Sequence, residues 1–118
     1  MTIDLNVLNA GLAAMRGVQA DRPFGPEPLV YKVSGKVFAM VADTDAGGRV
    51  TLKCDPVLAE ALREAYPGVT PGYHANKRHC NTVHLDGGVP YEVLWNMAQA
   101  SYEIVVRSLP RAIRAGLG

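Results

Sequence analysis

The chemistry-bearing residues of this chain crowd into one stretch, "GYHANKRHCNTVHLDGG" at 72–88. It holds all three histidines (His74, His79 and His84), one of the two cysteines (Cys80), and the adjacent cations Lys77 and Arg78. Such a set suggests a metal centre, a thiol nucleophile or a phosphate contact. A metal needs about four ligand atoms converging within roughly 2.0–2.3 Å of one ion. Cys80 and His84 share a strand side but lie about 13 Å apart at 3.3 Å per residue, so they cannot chelate together. If the segment is a hairpin turning at Asn76 and Lys77, His74 falls opposite His79, and the third and fourth ligands are missing. No metal or other cofactor is expected.

Catalysis by Cys80 would need a depressed thiol pKa and a base within hydrogen-bond reach. His79 is its neighbour in sequence, and neighbours on a strand point to opposite faces. The chain has no glycine-rich phosphate loop, no nucleophile elbow and no paired-carboxylate pattern. Asp43 and Asp45 stand where a turn is expected, doing local hydrogen bonding. A non-enzymatic protein is therefore the expectation. Phosphate contact survives: Lys77 and Arg78 at a hairpin tip suit it, with Asn76, His79 and Asn81 beside them as contact or structural residues.

Stepping outward along the chain, alternation gives three short strands, "LVYKV", "KVFAMVA" and "RVTLKC", joined by "SG" and "DTDAGG" as an antiparallel meander. With Leu29, Tyr31, Val33, Val37, Ala39, Val41, Val50, Leu52 and Cys54 as core, the opposite face carries Lys32, Lys36, Phe38, Arg49 and Lys53. In the last strand, Val83 and Leu85 as core send Cys80, Thr82 and His84 to that outer face. Cations gathered around an aromatic suit a phosphate backbone or an unstacked base. Lysines on solvated strands also discourage edge-to-edge aggregation.

Three helices frame these strands. The first covers about 3–15 behind a Thr2 cap and ends at Gly17, before the stiff loop "DRPFGPEP". The second is capped by Asp55 with Pro56 at its first position, and its stripe predicts burial of Val57, Leu58, Ala61, Leu62 and Ala65. The third runs from Pro90 to about Ser108 with Leu94, Met97, Ala98, Ile104, Val105 and Leu109 on one side. Its Tyr91, Trp95 and Tyr102 are expected to pack under the first helix or the "PFG" loop, and Arg107, Arg111 and Arg114 complement its dipole. The tail "RAIRAGLG" is expected to fray.

The resulting order, α-β-β-β-α-β-β-α, implies an α+β fold with an antiparallel sheet, helices on one face and the other face partly wet. At 118 residues, 48% apolar and 19% charged, the chain reads as one folded domain spanning 1–118. No apolar run approaches the roughly 20 residues of a membrane span. The N-terminus lacks the pattern of an export signal, so a cytoplasmic location with reduced thiols is expected. A net charge of +1 gives no global drive toward nucleic acid, so any such role rests on local clustering.

The blocks "RPFGP", "YKVSGKVFAMV", "LKCDP", "LREAYPGVTPGYHANKRHCNTVHLDGGVP" and "ASYEIV" resemble, in order and over nearly the whole chain, the MmcQ/YjbR family of small bacterial proteins. The resemblance implies a CyaY-like fold, akin to secretion chaperones, and carries the label DNA-binding. Asn76, Lys77, His79, Asn81 and Thr82 match the family's most recognisable motif, whereas Cys80 stands where the family usually has tryptophan. The expectation is a monomeric cytoplasmic protein that binds DNA through the basic hairpin and open sheet face. The alternative is a chaperone-like protein-interaction module.

Overall fold

The computed structural model describes residues 2–44, 47–72 and 76–117. Among the described residues ten elements follow one another: α1 (Leu5–Ala13), β1 (Val18–Asp21), β2 (Leu29–Val33), β3 (Lys36–Thr44), β4 (Gly47–Lys53), α2 (Pro56–Ala65), β5 (Val69–Pro71), β6 (Cys80–His84), α3 (Tyr91–Ser108) and α4 (Arg111–Leu117). The six strands form one antiparallel sheet in the order β1-β2-β3-β4-β6-β5. The fold class is α+β as expected. The order gains a strand at the front and a helix at the end.

Alternation and turn chemistry explain the central strands. β2 and β3 meet through Ser34 and Gly35, at φ 49° and 81°, the left-handed pair that a two-residue hairpin requires. The register then slips between Tyr31 and Lys32: Tyr31 pairs Ala39 while Lys32 pairs Val37, leaving Phe38 as an extra residue. This bulge resets the side-chain alternation. Phe38 therefore turns inward, 1% exposed, edge-on to Tyr102 at 5.4 Å, and the expected outward Phe38 is corrected.

Fourth-strand Val50 and Leu52, third-strand Ala39 and Val41, and Tyr31, Val33, Val69, Val83 and Leu85 join Leu8, Leu12, Leu94, Ala98 and Val105 in one core between sheet and helices. α3 packs across β2, β3 and β4. Ser101, fully buried on α3, donates Oγ–H to the Phe38 carbonyl at 2.6 Å and accepts from the Lys53 N–H at 2.9 Å. It thereby satisfies backbone groups of two strands, one of them at the bulge. Ile104, expected in the buried stripe, is 37% exposed.

The helix starts differ in how well the sequence marked them. Asp55 caps α2, its Oδ2 accepting from Val57 and Leu58 N–H at 3.1 Å each, with Pro56 at the first position. α1 starts later than expected, because Asp4 rather than Thr2 caps it through Asn6 N–H at 2.8 Å, while Ile3 N–H is tied to the Leu85 carbonyl. Tyr91 and Trp95 stack at 6.3 Å, and a Cβ at Gly11 would meet the Trp95 ring at 2.9 Å, so α1 lies directly on these aromatics. The tail does not fray over 111–117. It forms α4, whose Leu117 packs on the core and takes Arg16 Nη1–H on its carbonyl at 2.8 Å.

Candidate nucleic-acid interface

The basic stretch forms a pinned turn at one corner of the sheet. β5 and β6 pair from Val69↔Val83 to Pro71↔Asn81, so "VTP" joins the hairpin's first strand, and Tyr73, His74 and Ala75 of the expected "GYHA" lie outside the described residues. Asn76 Oδ1 accepts from Arg78 N–H at 2.9 Å and His79 N–H at 3.1 Å, and the His79 carbonyl accepts from Cys54 N–H at 2.7 Å. Asn76 is thus the residue that bends the chain here, by the usual aspartate or asparagine side-chain mimicry of a turn. Asn76, Lys77, Arg78 and His79 are all exposed. His74 lies outside the described residues.

Arg63 of α2 locks this turn to the fold. Its Nε donates to Asn81 Oδ1 at 2.8 Å and its Nη2 to the Lys77 carbonyl at 2.7 Å, while Asn81 Nδ2 donates to the Ala59 carbonyl at 3.2 Å. Asn81 is 0% exposed, so its place among contact residues is corrected: it fastens α2 to β6. A shallow groove of about 450 Å³ follows, lined by Pro56, Val57, Glu60, Arg63, Lys77 and Arg78. Lys53, exposed at the end of β4 and paired in register with Cys80, adds a cation at the same corner. Among the described residues no carboxylate is within ion-pair distance of Lys53, Lys77 or Arg78.

The sheet face does not gather its expected cations. Lys32 pairs with Asp21 at 3.8 Å, a carboxylate carried by β1, the strand that alternation had not marked. Lys36 reaches the other way, its Nζ donating to Ser108 Oγ on α3 at 3.2 Å. Arg49 is half-buried and stands opposite His84, whose Nε2 bonds Thr70 Oγ1 at 3.1 Å. Between these runs a row of Val30, Met40, Thr51 and Thr82 in register, with the two threonine hydroxyls bonded at 3.0 Å. Phe24, 73% exposed, takes the place foreseen for Phe38. It lips a cleft of about 510 Å³ lined also by Glu27, Pro28, Met40, Ala42, Thr44, Arg49 and Thr51. The loop above the cleft is folded by Arg22, which bonds the Pro26 carbonyl and pairs with Glu27 at 3.7 Å.

The thiols are buried and free. Burial pushes both upward; Asp55 raises Cys54 further, and Lys53 draws Cys80 partly back. Protonated buried thiols are poor nucleophiles and poor ligands. Among the described residues no three His, Cys, Asp or Glu side chains converge, and no helix is long and apolar enough to cross a membrane. Sequence reasoning missed Arg63, Asp21 and Phe24. An arginine inside a helix, an aspartate before a loop and a phenylalanine within it carry no periodic signal; only the packing gives them a role.

The YjbR family model matches residues 13–104. Escherichia coli K12 YjbR is 41% identical over 83 residues, covering 70% of both chains. YbdF of Escherichia coli O157:H7 is 33% identical over 89 residues, 75% of this chain and 73% of that one. The crystal structure of Deinococcus radiodurans DR2400, with a DUF419 domain, superposes with a TM-score of 0.89 at 36% identity, over 97% of this chain and 87% of that one. A Pseudomonas syringae protein shares the fold at TM-score 0.78 and 23% identity, over 86% and 98%. With matches of this extent the chain belongs to the YjbR family.

Proposed function

We propose that the protein is a small, non-enzymatic cytoplasmic DNA-contacting protein that holds phosphates at the corner built by Lys53, Lys77 and Arg78, with Arg63 as the brace. The observation that carries this reading is the fixed exposure of Lys77 and Arg78 on a turn stapled by Asn76 and Arg63. A backbone already pinned loses little loop freedom on binding. His79 flanks the corner as a secondary contact. Arg49, opposite His84 and lining the Phe24 cleft, is left out, as are Lys32, held by Asp21, and Lys36, held by Ser108. The resemblance to CyaY-like and secretion-chaperone-like folds belongs to the same proposal, as a likeness of architecture.

Phosphate contact releases counterions, so affinity must fall as salt rises. Titration of random-sequence duplex and single strands at two salt concentrations should show this dependence. In Lys77→Ala/Arg78→Ala the slope of log K against log salt should shrink by roughly two, with thermal stability unchanged. Absence of salt-dependent binding in the parent protein would remove the reading, and an unchanged slope in the variant would move the contact elsewhere. A protein-interaction role is favoured by a different observation, the exposed apolar side of α2.

A further inference from the structure

The second helix is turned the wrong way for its pattern. At about 100° per residue, Val57, Ala61, Ala65 and Leu58 fall within a single arc of roughly 100°. All four are exposed, Val57 at 78% and Leu58 at 48%. The side that meets the sheet is instead built from Ala59, fully buried, and half-buried Leu62, Arg63 and Tyr66. An apolar stripe of helical period facing water is the mark of a surface that another molecule covers.

We propose that a second copy of this chain covers it, α2 lying antiparallel on α2 about a two-fold axis at Ala61. Ala61 and Ala65 let the helix axes approach to the short end of the usual 8–10 Å range. Charge then selects the occupant. Glu60 and Glu64 follow the Val57 edge of the stripe, the flank that also carries the groove with Lys77 and Arg78 beside the first half of the helix. A two-fold axis crossing the helices sets like flank against like flank and reverses their direction. The basic turn by Val57 of one copy thus comes beside Glu64 of the other, twice over. A parallel pairing would instead set each charged flank against the partner's Leu58 flank and form neither contact.

The surface is modest. A ten-residue helix is about 15 Å long and offers less than the roughly 800 Å² per partner of a standard interface, so the dimer is concentration-dependent rather than permanent.

Sedimentation without nucleic acid, from micromolar to millimolar protein, tests this. The parent chain should shift from monomer to dimer, and Val57→Glu/Leu58→Asp should stay monomeric with an unchanged circular dichroism spectrum, since both side chains are exposed. Glu64→Lys should weaken association by roughly tenfold or more, replacing two attractions by two repulsions. Adding Lys77→Glu/Arg78→Glu to Glu64→Lys should restore it. A parent chain that remains monomeric at millimolar concentration overturns the proposal. So does a dimer that survives Val57→Glu/Leu58→Asp, or a charge swap that restores nothing. Because no DNA is present, this result stands or falls separately from the DNA reading.

Discussion

Helices α2 and α3 carry the same kind of apolar periodicity and end in opposite situations. α3 buries Leu94, Met97, Ala98, Ser101 and Val105; α2, at ten residues against eighteen, buries Ala59 alone. The difference lies beneath them. α3 crosses the sheet's centre, including β3 and β4 of nine and seven residues, whereas α2 sits over the sheet's far end on β6 and on β5, which has three residues. A short strand offers little apolar surface, so α2 is attached by polar fasteners, Arg63 and Asn81, and its stripe is left over. An apolar stripe therefore predicts burial only where enough sheet lies under it.

The sharpest way to break this contrast is a matched pair of truncations. Leu94→Ala, at 0% exposure in the core, should cost about 2–5 kcal/mol. Leu58→Ala, at 48% exposure, should stay within about 0.5 kcal/mol, because little is lost and alanine favours the helix. Urea unfolding of dilute protein reads both. Equal losses would mean that α2 is packed as α3 is, and the exposed stripe would vanish as an observation.

The fasteners come next. Ser101→Ala strips the Phe38 carbonyl and Lys53 N–H of a buried partner at once and should cost about 1–3 kcal/mol. Asn81→Ala should cost less, about 1–2 kcal/mol, since Arg63 keeps the Lys77 carbonyl. It should nevertheless loosen the basic turn, so that hydrogen exchange at Arg78 and His79 rises while the α3 amides stay protected. A global rise at both helices would deny that the two regions are held by separate devices.

What the sequence disclosed follows the same division. The strands β2, β3 and β4 and the Asp55–Pro56 helix start were legible, because alternation, the Ser34–Gly35 turn and a capping aspartate are local causes. β1 was not: Val18–Asp21 has weak strand preference and forms because β2 offers it an edge. Nor was α4 legible, because its order comes from Leu117 landing over Gly17, a contact a hundred residues away in the chain. At the candidate site, Lys77 and Arg78 were legible as exposed cations. The dispersal of Lys32 and Lys36 was not, since it depends on Asp21 and Ser108, and the inward Phe38 depends on a bulge that alternation cannot announce.

The thiols join the two regions, Cys54 just before α2 and Cys80 at the start of β6 against β4, and they give the smallest expected effect. Both pKa values are raised, chiefly by burial, as is that of Tyr31. Below about pH 8.5 a thiol is protonated in the folded and unfolded chains alike. Above it the unfolded chain releases its protons first, so stability must fall as pH rises. Comparing urea midpoints at neutral and alkaline pH, Cys54→Ala/Cys80→Ala should be less stable at neutrality and lose less on the way up, while the later fall from Tyr31 stays. The native thiols should also resist a disulfide reagent until denaturant opens the corner. Rapid modification of the folded protein at mildly alkaline pH would mean that the seam beneath the basic turn opens on its own, and that Arg63 and Asn81 do not hold α2 down.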